Sequence, residues 1–328
     1  MGGDHAPGVV VDGAVLAVRE LPVEIILVGD EARLREELNR HRAVPSALTI
    51  HHASEAIGMD EPPAISVRKK RDSSINVMVE LAKQGQADAI VSAGNTGAVV
   101  CAATLGLRLL EGVERPGIGI VLPTLTGNSL LIDVGATIDP KPEHLVQFGM
   151  MGSVYARGVL GKSRPSVGLL NVGEEESKGT DFIKEAFRQL SHTPLNFIGN
   201  LEGRDIYTGK CDVIVCDGFV GNITLKVTES LAKVIAQLLR QELRRSAITQ
   251  LGAMLSLSAF RGLRKKMDYA EYGGAPLLGV DGTCIICHGA SSARAIKNAV
   301  RVAASSVAEH VNTAIVTSMK EMTACQKP

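Results

Sequence analysis

One pattern recurs along this sequence and limits what it can fold into: a short run of Val, Ile and Leu, in most cases ending in a loop of Gly, Asn, Asp or Glu. VEIILVGD, ADAIVSAGNTGA, SLLIDVGAT, PSVGLLNVGEE, LNFIGNLEG and CDVIVCDGFVGN have this form, and ALTIHHA, GIGIVLPT and GTCIICHG add further apolar runs. Runs this continuously apolar read as strands buried on both faces. The stretches 31–41, 74–84 and 222–246 between them read as helices, as does the segment entered at Pro7. Repeated β-loop-α units predict an α/β fold, a mostly parallel sheet with helices on both faces. Ligands bind such sheets beyond the carboxyl ends of the strands, so the polar loops are expected to gather on one rim, around the site.

The bulk numbers fit that reading. A chain of 328 residues suits one large or two fused α/β units. Apolar residues at 45% and charged residues at 21% exclude general disorder. Aromatics are 3%, Trp is absent and glycines number 34, a mixture suited to Val/Ile strands joined by tight loops. The formal net charge is zero, so nothing global points to nucleic acid. No run approaches the ~20 apolar residues of a membrane-spanning helix. The six cysteines follow no secretory signal, which predicts reduced thiols in the cytoplasm. Cys284 and Cys287 form a C-x-x-C inside a strand, where positions three apart face opposite ways, so neither a zinc site nor a redox pair is favoured. With no repeat or linker, residues 1–328 read as one continuous unit.

Several loops carry candidate chemistry. MGGDHAPG offers Asp4 and His5 on a glycine loop entering a helix, which presents free N–H groups to an anion or is simply a turn. SAGNTGA places Asn95 and Thr96 where they can donate to a phosphate or carbonyl oxygen. DVGATIDPKPEH sets Asp133, Lys141 and His144 around a proline-stiffened loop; the lysine can neutralise phosphate, and the histidine can move a proton or is structural. NVGEEESKGT adds Lys178 after Glu174, Glu175 and Glu176, which can equally be a solvated first helical turn. CDGFVGNITLK brings Asp217, Asn222 and Lys226 to the head of a long helix. Together these provide amides, glycines and lysines, with no metal cluster, G-x-S-x-G elbow or Walker loop. That favours binding a small anion without a metal.

The blocks MGGDHAPG, RKKRDSS, VSAGNTGA, DVGATIDPKPEHLVQFGMMGSVYA, LLNVGEEESKGT, NLEGRDI, CDGFVGNITLK and YGGAPLLGVDG…HGAS resemble the bacterial phosphate acyltransferases of phospholipid synthesis, from Met1 to about Val316. The resemblance implies conversion of acyl-acyl-carrier-protein and inorganic phosphate to acyl phosphate, with no cofactor. It implies a two-lobed fold similar to phosphotransacetylases and to isocitrate and isopropylmalate dehydrogenases, in a homodimer. The lobes would be residues 1–110 with 280–328, and residues 111–279, with the active-site cleft between them. Lys178, Lys141 and Lys226 would handle charge. Asn95, Thr96 and Asn222 would hydrogen-bond the reacting groups, and His144 or His5 would serve proton or oxyanion work. Members of this family usually carry a short strand ahead of MGGDHAP; this sequence begins at its methionine, so that strand is expected to be absent and Asp4 and His5 less firmly anchored.

Two surfaces have open readings. Residues 251–260 are apolar and run into Arg261, Arg264, Lys265 and Lys266; the stretch 251–266 would lie in a membrane interface, at the inner face of the cell membrane, or form a buried helical hairpin at a dimer contact. The basic run 68–71 would meet acidic acyl carrier protein or phosphate, or is a solvated helix start. Two rival enzymes share the expected fold: a phosphotransacetylase using acyl-coenzyme A, and a metal- and NAD(P)-dependent dehydrogenase, whose acidic cluster is not assembled here. A non-enzymatic scaffold for carrier protein is a third.

Overall fold

The structure, a computed structural model, describes residues 1–267 and 272–325, with side chains described for residues 1–263 and 272–322. Helix α1 (Gly8–Glu20) is followed by strand β1 (Ile25–Gly29), α2 (Glu31–Leu38) and β2 (Leu48–His52). Next come α3 (Pro63–Lys69), α4 (Ser74–Lys83), β3 (Ala89–Ser92), α5 (Thr96–Gly106), β4 (Gly117–Thr124) and β5 (Gly127–Ile132). The middle of the chain forms α6 (Pro142–Gly158), β6 (Ser166–Leu170), α7 (Asp181–Ser191), β7 (Asn196–Leu201) and β8 (Val213–Val215). Then follow α8 (Gly218–Leu243), α9 (Ala247–Leu255), α10 (Leu257–Met267), β9 (Ala275–Leu278), β10 (Thr283–Ile286), α11 (Ala293–Ala308) and α12 (Val311–Cys325).

The expected α/β class holds, and the strands fall where the apolar runs placed them. They form an eight-stranded sheet in the order β3-β10-β9-β4-β5-β8-β6-β7 and a separate parallel pair, β1-β2. Most pairings are parallel, but β9 and the β4–β5 hairpin form an antiparallel seam through the middle. The seam reverses direction, so β5, β6, β7 and β8 run opposite to β3 and β10. The polar loops therefore divide between two edges of the sheet instead of gathering on one rim. A sequence signal for the seam existed: two apolar runs separated by a tight turn ending at Gly127, whose φ is +151°, is a hairpin pattern.

Many polar residues at strand ends are helix caps. The side chains of Asp30, Ser73, Asn95, Thr180, Asp217 and Ser292 each accept a backbone N–H at the start of α2, α4, α5, α7, α8 and α11. Each such cap stabilises its helix by about 1 kcal/mol. Asp217 starts the long helix at Gly218, before the expected residue 222. Ser246 caps α9, which ends α8 at Leu243.

Helix α6 lies deep in the molecule, with Phe148, Met151 and Tyr155 almost wholly buried. Truncating Phe148 to Ala at such a site costs about 3–5 kcal/mol. A Cβ on Gly152 would stand 2.6 Å from Val213 Cγ1, so glycine is what lets α6 lie against β8. The C-x-x-C cysteines are both free and occupy different cores: Cys284 packs with Ile90 and Val280, Cys287 with Ile296 and Val302. Burial pushes both thiols up to about 12. Among the described residues no helix is long and apolar enough to cross a membrane.

Candidate active site

The richest edge of the sheet is the carboxyl end of β5, β8, β6 and β7, where four loops meet. The loop after β5 is built on Asp133, which is fully buried and accepts backbone N–H bonds from Ile118, Gly135, Ala136 and Thr137 at 2.6–3.0 Å. Burial pushes the Asp133 carboxyl up, while its four N–H partners favour the charged form. With all these bonds made inside the protein, Asp133 is placed to shape the loop; the expected substrate contact is not what its surroundings show. Gly218 N–H donates to the Thr137 carbonyl at 3.0 Å, docking the start of α8 on this loop. A Cβ on Gly218 would come within 2.6 Å of that carbonyl oxygen and 2.7 Å of Asp133 Oδ2, which requires glycine there.

This docking brings Asn222 beside the loop: a Cβ on Gly135 would stand 3.7 Å from Asn222 Cβ. Asn222 and Lys226 are four residues apart on α8, hence on one face, and both are exposed. Lys226 has a single loose ion pair, 4.0 Å from Glu229. Asp217 is the cap of α8, accepting from Val220 N–H at 2.8 Å, so its carboxylate is committed to the helix start.

Lys141 caps α6 and projects outward, 70% exposed, with Glu143 at 3.7 Å. His144 is buried and engaged through both ring nitrogens. Nδ1 accepts the Lys141 backbone N–H at 2.9 Å, so the proton sits on Nε2, 3.2 Å from Glu114 Oε2. A ring held this way fits a positioning role for the Lys141 loop better than the proton shuttle expected of it. No sequence signal marked Glu114, which is 30 residues from His144.

The loop after β6 carries Lys178, which is exposed; its carbonyl accepts from Asn171 Nδ2 at 3.2 Å. This loop is tied to its neighbours by Asn200 Nδ2 donating to the Glu175 carbonyl at 3.2 Å and by the Lys210–Glu174 ion pair at 2.8 Å. Lys141, Lys178 and Lys226 thus stand on loops or helix starts of one edge, beside the N-terminus of a 26-residue helix whose dipole favours anions.

The remaining candidates lie on the other edge, beyond β3 and β10. Asp4 N–H donates to the Gly289 carbonyl at 3.1 Å, and Asp4 and His5 are exposed. Asn95 is buried with its amide fully used: Oδ1 caps α5, and Nδ2 lies 3.0–3.2 Å from the carbonyls of Gly58, Met59 and Glu61. It clamps the 58–61 loop and has no donor left over for a phosphate. Thr96 is exposed at the start of α5. Within the basic run, Lys70 Nζ is taken up by Glu61 at 2.6 Å and the Ala56 carbonyl at 2.8 Å, leaving Arg68, Lys69 and Arg71 exposed. His288, exposed where β10 ends and accepting from Ala290 N–H at 3.1 Å, was not singled out from sequence. Among the described residues no group of three or more His, Cys, Asp or Glu side chains is placed to hold a metal ion.

The fold is that of the phosphotransacylases. A phosphotransacetylase from Streptococcus pyogenes superposes with a TM-score of 0.66 at 19% identity, covering 93% of this chain and 92% of that one. The EutD phosphotransacetylase from Staphylococcus aureus superposes at 0.61 and 14% identity, over 90% and 89% of the two chains. In sequence, the profile described as "Fatty acid synthesis protein" matches residues 1–314. The phosphate acyltransferase of Heliobacterium modesticaldum is 52% identical over 316 residues, covering 96% of this chain and 94% of its own length. That of Geobacter sulfurreducens is 48% identical over 320 residues, covering 98% and 92%. The chain belongs to the fatty acid synthesis protein family, and it is an enzyme of the acyltransferase class.

Proposed function

We propose that this chain transfers a long-chain fatty acyl group from acyl carrier protein to inorganic phosphate, forming the acyl phosphate that feeds phospholipid synthesis. Near-full-length identity of about half with curated phosphate acyltransferases carries this reading. A phosphate oxygen attacks the thioester carbonyl carbon, the C–O bond forms, the tetrahedral oxyanion collapses, and the C–S bond breaks to release the carrier's thiolate. Phosphate at neutral pH is already a competent nucleophile, so no protein nucleophile is needed. Holding it against the carbonyl is worth up to roughly 7–11 kcal/mol, and one oxyanion donor about 3–4 kcal/mol.

The edge bearing Lys141, Lys178, Asn222 and Lys226 is the best place for this chemistry. The exposed lysines and the α8 N-terminus receive phosphate, and the Asn222 amide donates to the oxyanion. His144 holds Lys141 in position. Asp4, His5 and Thr96, on the opposite edge, are proposed to face the same cleft from the other lobe; the exposed Arg68, Lys69 and Arg71 are proposed to meet the acidic carrier.

The same reading makes the enzyme a cytoplasmic homodimer that touches the membrane peripherally. Ile223, Val227, Leu231, Val234, Ile235 and Leu238 are all about half exposed on α8, an apolar stripe suited to a second copy of the chain. Leu251, Met254, Leu255 and Leu257, on α9 and at the start of α10, are 46–79% exposed and suit a lipid interface. The side chains of Arg264, Lys265 and Lys266, expected to complete that patch, lie outside the described residues.

The deciding experiment incubates the protein with palmitoyl-acyl-carrier-protein and labelled phosphate, without added metal. Phosphate-dependent acyl phosphate is the expected product, and its absence overturns the reading. Activity with acetyl-coenzyme A but not with the carrier thioester would instead assign a coenzyme A-dependent phosphotransacetylase.

A further inference from the structure

The β1-β2 pair is cut off from the main sheet by a cavity of about 600 Å³. One long wall is β1, from Pro22 to Val28, and the opposite wall is β3, from Gln86 to Gly94. Residues of α1 and α11 cover one face, where the two helices pack together, and α4, which touches both β1 and β3, covers the other. Among the described residues β1 pairs only with β2, and β3 only with β10, so each presents a free edge to the cavity. Two edges separated by a gap, with helices above and below, outline the place of one missing ladder. Strands pack 4.7–4.9 Å apart and rise about 3.3 Å per residue, so walls of this length accommodate an extended segment of about six residues.

The orientation follows from Met1 to Gly3. The Met1 side chain lies against Gly29, at the carboxyl end of β1, and a Cβ on Gly3 would stand 2.6 Å from the Ala93 carbonyl oxygen, just past the carboxyl end of β3. The two strands therefore point the same way, and Met1 stands at the end of the slot where both finish. Burial, with the Arg33 cation nearby, pulls the Met1 amino group below its ordinary pKa, as expected for an amine at the mouth of an apolar slot.

We infer that this cavity is a strand-acceptor slot, filled by one extended apolar segment joined directly ahead of Met1, parallel to β1 and β3 and hydrogen-bonded to both. Filling it fuses the two sheets into one. It also makes α1 the crossover helix of a β-α-β unit ending in β1, the arrangement that parallel neighbours require. An unsupported two-stranded sheet is marginal, so the occupant stabilises β1 and β2 most. Both faces of the slot are covered by helices, hence the segment is apolar on both sides, rich in Val and Ile, and free of proline. This inference does not rest on the acyl-transfer reading.

The test places Val-Ile-Val-Val-Ile-Ala ahead of Met1 in the full chain, with Gly-Ser-Asn-Gly-Ser-Asn as the control. Amide hydrogen exchange is followed across residues 25–29 and 89–92. The apolar extension is expected to slow exchange in both strands by about 100-fold, a measure of closed local opening, and to raise Tm by several degrees, while the control changes neither. Should the extended chain prove poorly soluble, the same six-residue peptide in large excess over the parent protein is expected to slow exchange in the same two strands. Unchanged exchange with the apolar extension or peptide, or protection of one strand alone, overturns the inference. So does protection by dodecane with none by the strand, which would make the cavity a hydrocarbon site.

Discussion

His144 Nε2 lies 3.2 Å from Glu114 Oε2, while its Nδ1 accepts the backbone N–H of Lys141 at 2.9 Å. The ring therefore joins the start of α6 to the loop before β4 and fixes the backbone from which Lys141 projects. His144→Ala leaves a helix-start N–H and a carboxylate without this partner, at a cost of about 1–2 kcal/mol. His144→Asn restores an acceptor for the N–H and should recover most of that loss in Tm. If the role is positioning, both variants keep the shape of the kcat–pH profile while the KM for phosphate rises. Loss of one limb of the profile in His144→Asn would return the residue to proton transfer.

Asn222 and Lys226 share the exposed face of α8 beside the 133–137 turn, and neither is part of the core. Replacing either with Ala should leave stability within about 0.5 kcal/mol, as for other surface positions. Removing an oxyanion donor lowers kcat by about 100- to 1,000-fold, the outcome expected for Asn222→Ala. Lys226→Ala should act mainly on the KM for phosphate, because its charge attracts the anion before and during reaction alike. Parallel measurement of Tm and steady-state kinetics checks both, and an Asn222→Ala enzyme with parental kcat would remove that residue from the site.

Glu61 accepts from Lys70, Gly58 and Ser66, and these bonds, Lys70 foremost, hold its pKa down at about 2. The sign follows from the unfolded chain, where a glutamate titrates near 4.3. The folded state prefers the ionised form, so the contribution is fully present above that value and is lost as pH falls toward about 2. Glu61→Gln lacks it at every pH. The Tm difference between parent and Glu61→Gln should therefore be constant near neutrality and close between roughly pH 4.3 and 2. A gap that persists unchanged to pH 2 would show that Lys70 does not depend on the Glu61 charge.

Much of this architecture is legible in the residues because buried parallel strands are locally obvious: VEIILVGD, PSVGLLNVG and CDVIVCDG each become a strand ending in a loop. What was misjudged depends on long-range geometry. Asn95 looks like an anion ligand in SAGNTGA, but its amide is spent on carbonyls 34–37 residues earlier in the chain. Asp133 looks like a substrate group in DVGAT, yet one of its N–H partners is Ile118, from the start of β4. Polar side chains in glycine loops serve ligands and backbone equally well, and only the fold shows which backbone groups arrive. The antiparallel seam had the same origin: each strand is readable alone, whereas its direction relative to distant neighbours is not.

The apolar residues of α8, α9 and α10 make the last prediction. Leu255 is 79% exposed and Leu257 46%, separated by Ser256, where α9 ends and α10 begins. On α8, Leu231 and Ile235 are 56% and 54% exposed, one helical turn apart. If the α9–α10 junction meets lipid and α8 meets a second copy of the chain, the two pairs respond differently. Leu255→Glu with Leu257→Glu should abolish sedimentation with anionic vesicles, since each acidic side chain opposes both burial and the negative surface, and leave the oligomeric state intact. Leu231→Glu with Ile235→Glu should give monomers in sedimentation velocity, because like charges would face each other across a two-fold contact. A Leu255/Leu257 variant that still binds vesicles but no longer dimerises would move the dimer contact out to the helical tip and remove the case for a lipid interface there.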